Sequence, residues 1–158
     1  MHPDQTARQI LSEIWGERGF PVDPVWIARQ LSIKVLDADL PENISGALVK
    51  EVGKDPVILL NSADSKNRKR FSCAHELGHY MHRQSDDSFE YIDLRGPAAA
   101  AGVNPQEISA NQFAASLLMP ESEVQRLRAL KMVPAILAYR LGVSRDAMDY
   151  RLKNLRLV

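Results

Sequence analysis

The sequence predicts an α+β fold, on three observations. Apolar residues recur at helical spacing near both ends of the chain. Three aliphatic or β-branched runs lie between residues 33 and 63, broken by Gly and Pro. A long helical stretch joins the two parts. The 158 residues are a single-domain length, able to bury about two-thirds of the unfolded surface. The expected organisation is one domain over residues 1–158, with a helical C-terminal part from about residue 121.

The elements follow in order. After Asp4, the residues Ala7, Ile10, Leu11 and Ile14 share one helical face, and Gly16 and Gly19 stop the pattern. In "DPVWIARQL", Asp23 suits an N-cap and Pro24 the first turn of a short helix. "IKVLDAD", "ISGALVKEV" and "DPVILLNSA" read as strands punctuated by Pro41, Gly46, Gly53 and Pro56, giving a small sheet of three strands or slightly more. A long helix capped near Asp64 or Ser65 runs to about His82. The stretch "RQSDDSFEYIDLRGPAAAAGVNP" is the least regular and reads as a loop, with "FEYIDL" a brief edge strand. Pro105 opens a helix through Leu118, which Pro120 stops. Helical segments over 121–131, 133–141 and 144–155 complete the chain.

Composition narrows the function classes. The 20 basic and 20 acidic side chains cancel, so no net field draws the chain toward nucleic acid or an anionic membrane. The single cysteine, Cys73, excludes an internal disulfide and is compatible with a reducing compartment. The N-terminus "MHPDQTARQILSEIW" is polar and acidic where a signal peptide is basic and then apolar. No apolar run is long enough to span a bilayer. A cytoplasmic protein with no membrane partner is the expectation.

The stretch "CAHELGHYMH" places three of the four histidines within eight positions. On a helix, His75, His79 and His82 fall within about 60° of one another, and Glu76 flanks that face. Imidazoles at i and i+4 can share one Zn²⁺, while the intervening Glu holds a water and takes its proton. The bland alternative is three hydrogen-bonded histidines without a ligand, which leaves several polar atoms needing partners. Cys73 lies about 160° round the helix from His75 and reads as buried filler. Gly78 costs about 1 kcal/mol against Ala in a helix interior. Either close approach of a strand or substrate, or plain tight packing, accounts for it.

A third protein ligand must come from elsewhere. A metzincin needs a third His at position 85, where this chain has Ser85. His82 lies nearly two turns from His75, too far for one ion to take all three imidazoles without strain. Asp86, Asp87, Glu90 and Asp93 fall in the irregular stretch. Glu107 is the better candidate, since it projects from a separate helix, with Asn111 one turn later to orient a ligand histidine. The pair is similar to the Glu-x-x-x-Asp of thermolysin-like gluzincins. An exposed first-turn carboxylate favoured by the helix dipole is the competing reading of Glu107.

"KRFSCAHELGHYMH" followed some thirty residues on by "EISANQFAASLLMP" resembles the ImmA/IrrE-type metallopeptidases of bacteria and their phages. "PVDPVWIARQLSIKV" and "VILLNSADSKNRKRFS" are similar to that family's N-terminal half, and "LAYRLGVSRDAMDYRLKNL" to its C-terminal helices. The resemblance implies a zincin-like domain that cleaves Xre-type helix-turn-helix repressors, or antitoxins. Carried over position by position, it implies His75, His79 and Glu107 as zinc ligands and Glu76 as catalytic base. Mn²⁺ or Fe²⁺ would also suit such donors. The alternative function is a non-catalytic partner in a repressor or toxin–antitoxin pair, with structural zinc.

Two further features complete the reading. "KNRKR" sets four positive charges at a helix start, where the dipole disfavours them, so an acidic loop or a carbonyl-rich partner segment is expected to compensate. Arg70 is singled out there for a structural or substrate contact. The segment from 138 to 148 fits a helix-turn-helix spacing, and residues 140–158 carry five positive against two negative charges. Asp146 and Asp149 in the would-be recognition helix argue against direct DNA binding.

Overall fold

A computed structural model describes residues 2–83, 91–95 and 104–158, with the backbone alone for 91–95. The order is α1 (Pro3–Ile10), α2 (Pro24–Gln30), β1 (Lys34–Ala38), β2 (Gly46–Lys50), β3 (Val57–Asn61), α3 (Lys66–Arg83), β4 (Tyr91–Arg95), α4 (Pro105–Leu118), α5 (Glu121–Ala129), α6 (Pro134–Leu141) and α7 (Arg145–Asn154). This is the expected α+β layout. The sheet has four strands in the order β1-β3-β2-β4, so "FEYIDL" does supply an edge strand. β1 runs parallel to β3, while β2 is antiparallel to both β3 and β4.

Local chemistry explains the element ends. Asp23 caps α2 by accepting from the amides of Val25 and Trp26 at 3.0 and 3.2 Å. Asn104 caps α4 by accepting from Gln106 N at 2.8 Å, with Pro105 in the first turn. The first helix departs from expectation. It widens at Leu11 into a π-helical turn that ends at Trp15. Trp15 is buried there; its indole donates to the Gly19 carbonyl at 2.8 Å and stands edge-on to Trp26.

The core lies between the sheet and the helices. Leu48, Ile58 and Leu60 from the strands meet Leu77 of α3, while Phe113, Leu117 and Leu118 of α4 close the other side. α3 is therefore sandwiched between the sheet and α4. Its middle, from Ser72 to His79, is buried throughout. A helix buried on all sides carries polar groups only where they have partners or a task.

The basic start of α3 is compensated from within the chain. Arg70 Nε donates to the Gly142 carbonyl at 2.9 Å and its Nη2 to the Val22 carbonyl at 2.6 Å. Asn67 reaches the Val143 carbonyl at 3.3 Å, Arg68 the Ser45 hydroxyl at 2.9 Å, and Lys69 pairs with Asp37 at 3.2 Å. The carbonyl-rich segment is thus the α6–α7 turn. The stretches 84–90 and 96–103, read above as loop, lie outside the described residues, as do Asp86, Asp87 and Glu90. Asp93 sits in β4 opposite Leu48 rather than in a loop.

Candidate metal centre

Helical periodicity brings the first two groups together. His75 and His79 stand one turn apart on α3, 0% and 4% exposed, with Nε2 atoms 3.2 Å apart. Their rings meet edge-on at 4.8 Å between centroids. Glu107 arrives from the first turn of α4: Oε2 is 2.9 Å from His75 Nε2 and Oε1 is 3.0 Å from His79 Nε2. One turn later Asn111 places its amide oxygen 2.8 Å from His75 Nδ1.

That last contact decides the tautomer. An amide oxygen accepts, so Nδ1 of His75 carries the proton, and Nε2 turns a lone pair toward Glu107. Two ring nitrogens and a carboxylate then face one point, an arrangement that repels itself unless a proton or a cation lies between them. Tetrahedral ligands about 2.1 Å from an ion stand roughly 3.4 Å apart. The observed 2.9–3.2 Å separations need only a few tenths of an ångström of spreading to match. Among the described residues these three side chains form the group able to hold a metal ion. Two imidazoles and a carboxylate suit Zn²⁺, and also Fe²⁺ or Mn²⁺. With a proton between them in place of an ion, the hydrogen bond from His75, helped by the nearby charges of both histidines, holds the Glu107 carboxyl below its ordinary value against the opposing effect of burial.

Glu76 follows His75 on α3 and is fully buried. Its side chain lies against β2, where a Cβ built on Gly46 would meet Glu76 Cγ at 3.7 Å, Ser72 Cβ at 3.5 Å and the Leu59 carbonyl at 3.2 Å. Gly46 served above only as punctuation. A glycine inside a strand is itself a signal of close approach, and it was the clue to this floor beneath Glu76.

Gly78 fits α4, not a strand or a substrate. A Cβ there would stand 3.0 Å from Phe113 Cδ1 and 3.2 Å from Ala110 Cα. The missing side chain lets α4 lie close enough for Glu107 and Asn111 to reach the histidines. His82 is exposed, a turn beyond His79, and is not part of the cluster. Arg70 is likewise absent from it, being committed to the carbonyls of Val22 and Gly142. Cys73 is fully buried, and burial pushes its thiol pKa up.

Comparison with known proteins bears on the family and the fold. The chain is 28% identical over 107 residues to "uncharacterized immunity region protein 2" of Bacillus phage phi105, covering 67% of this chain and 64% of that protein. In fold it is similar to a Mycobacterium tuberculosis transcriptional regulator, with a TM-score of 0.69 and 21% identity over 96% of this chain and 46% of that one. The chain thus spans under two-thirds of either relative. The peptidase M78 family, described as the IrrE N-terminal-like domain, matches residues 28–153. With most of its length inside that match, the chain belongs to the peptidase M78 family.

Proposed function

We propose that this protein is a zinc-dependent endopeptidase that cleaves a helix-turn-helix repressor of the Xre type in the cytoplasm. The observation that carries the reading is the convergence of His75, His79 and Glu107, from two separate helices, beside a buried Glu76. In this reading His75 and His79 bind the ion through Nε2 and Glu107 through its carboxylate. A bound divalent cation supplies Lewis acidity, lowering the pKa of a coordinated water toward about 7 and polarising a peptide carbonyl. Glu76 accepts a proton from the attacking water and passes it to the leaving amine as the C–N bond breaks. Asn111 fixes the His75 tautomer, and α4 holds Glu107 in range.

Three protein donors rather than four among the described residues favour catalysis over structural zinc, since structural sites usually close with a fourth protein ligand. The substrate class draws support from the relatives' names, an immunity region protein in one case and a transcriptional regulator in the other. The test compares wild type with Glu76→Gln on purified helix-turn-helix repressors of the Xre type. The variant should keep one metal ion per chain and lose cleavage by at least about 100-fold, the scale of a general base. Equal cleavage by the two proteins would refute the assignment.

A further inference from the structure

One buried side chain outside the metal centre joins the wall behind Glu76 to the start of the helix that carries it. Asn61, the last residue of β3, is 2% exposed. Its amide nitrogen donates to the carbonyls of Ile44 at 2.8 Å, Pro41 at 3.1 Å and Leu40 at 3.3 Å. Its amide oxygen accepts from Ala63 N at 3.1 Å, an Asx turn that leads the chain toward α3. The backbone adds two more bonds. Asn61 N donates to the Ser45 carbonyl at 3.0 Å, and Asp64 N donates to the Asn61 carbonyl at 3.1 Å.

The loop over 39–45 needs such bonds. Pro41, Glu42 and Asn43 at its tip are exposed, so packing does not set its course. Ser45 at its end is buried, and its hydroxyl accepts from Arg68 Nε at 2.9 Å. Gly46 comes next, with Ser72 Cβ and Glu76 Cγ lying against it. Asn61 and Arg68 therefore hold, from two sides, the stretch of backbone on which Glu76 rests.

Asparagine suits both tasks because its side chain donates at one end and accepts at the other. Aspartate in its place would offer no donor to the three carbonyls, and leucine would offer neither donor nor acceptor. Carbonyls that lose a buried donor turn toward water where they can, and here that turn carries Ser45 and Gly46 with it.

We propose that Asn61 is a positioning residue for peptide hydrolysis: by holding the Ser45–Gly46 wall it sets where the Glu76 carboxylate stands beside a bound ion. The inference rests on the peptidase reading above. Asn61 touches neither ion nor substrate in this account. Its effect is geometric, and displacements on the order of 1 Å, caused far from the reacting atoms, can cost about 100-fold in rate.

The test loads wild type and four variants with Co²⁺ and follows the visible absorption on adding acetohydroxamate, at one neutral pH and well below every melting temperature. A hydroxamate chelates an ion that has open positions and shares its proton with a carboxylate alongside, so its affinity reports where Glu76 stands. Asn61→Ala should bind Co²⁺ as wild type does, since His75, His79 and Glu107 come from α3 and α4. It should bind acetohydroxamate about tenfold more weakly, and kcat on an Xre-type repressor should fall by a similar factor with KM unchanged. Ser45→Ala removes only the Arg68 contact and should weaken acetohydroxamate about threefold, a milder displacement of the same wall. It decides the matter alone if Asn61→Ala does not fold. Ser144→Ala, which loses the N-cap of α7, should melt lower yet bind acetohydroxamate as wild type does, so that lost stability is not read as lost positioning. Wild-type acetohydroxamate affinity in Asn61→Ala and Ser45→Ala, or a loss of Co²⁺ affinity as large as the loss for acetohydroxamate, would overturn the proposal. Glu76→Gln separates the two claims. If it alone weakens acetohydroxamate, the role of Asn61 fails and the peptidase reading stands; if it too binds as wild type does, both fall.

Discussion

At the scale of single residues, the chemistry rests on which atom carries a proton and which group is denied water. Asn111 holds His75 by one hydrogen bond of 2.8 Å. Removing such a partner of a ligand histidine typically costs 10–100-fold in metal affinity. Asn111→Ala should therefore bind Zn²⁺ roughly 10–100-fold more weakly in chelator competition, with its far-UV spectrum unchanged. The folded Glu107 carboxyl lies below its ordinary value of 4.5. A group depressed in this way stabilises the fold above its unfolded pKa and ceases to do so as pH falls through the folded one. The metal-free protein should accordingly lose stability on acidification below pH 4.5. Glu107→Gln should flatten that limb in urea titrations, and an identical acid limb would contradict the pairing. Cys73, buried with its thiol pKa raised, should resist iodoacetamide in the native state and react promptly in denaturant.

At the scale of elements, the site depends on how closely α3 and α4 approach. Gly78→Ala tests this directly. Alanine gains about 1 kcal/mol in helix propensity, but its methyl would sit 3.0 Å from Phe113 Cδ1 and 3.2 Å from Ala110 Cα. The latter atom is backbone and yields only if α4 moves. Overpacking of this kind costs about 1–3 kcal/mol and should outweigh the propensity gain. The variant should melt lower and bind zinc more weakly, whereas a higher melting temperature with intact affinity would show that the helices are not in tight register. The helices and strands were legible because their signals are local: Asp23 at an N-cap, Pro24 and Pro105 in first turns, and Pro120 as a stop. Spacing made Glu107 and Asn111 candidates, but an exposed first-turn carboxylate competed with that reading of Glu107, and the family resemblance was what favoured a ligand. What packs on Gly78 was not legible, because a glycine inside a helix reports a near neighbour without saying which element provides it. His82 shows the limit of angular reasoning, since it shares the histidines' sector yet emerges from the core at the end of the helix. The π-helical turn at Leu11–Trp15 was hidden as well, for the apolar spacing continues into it.

At the scale of the whole molecule, Arg70 ties three distant parts of the sequence together. It links the metal helix to the Val22 loop and to the Leu141–Gly142 turn through backbone carbonyls. Gly142 adopts a left-handed conformation with φ +67, and a Cβ there would lie 2.8 Å from Arg70 Nε. Glycine is thus required both by the turn and by the arginine against it. Arg70→Met should cost about 3 kcal/mol, through lost charged hydrogen bonds and carbonyls left without a donor. Amide exchange should speed up first in α6 and α7. Sequence reasoning singled out Arg70 without naming its partners, because those contacts join residues about 50 and 70 positions apart and carbonyls leave no side-chain signature. The central claim is that two imidazoles of one helix and a carboxylate of another surround one ion with room for water. Zinc K-edge X-ray absorption on the loaded protein addresses it most directly. The expected spectrum has two imidazole nitrogens and two oxygens at about 2.0–2.1 Å and no sulfur. A sulfur shell near 2.3 Å, a single imidazole, or the loss of an oxygen shell in Glu76→Gln with none lost in Glu107→Gln would contradict it.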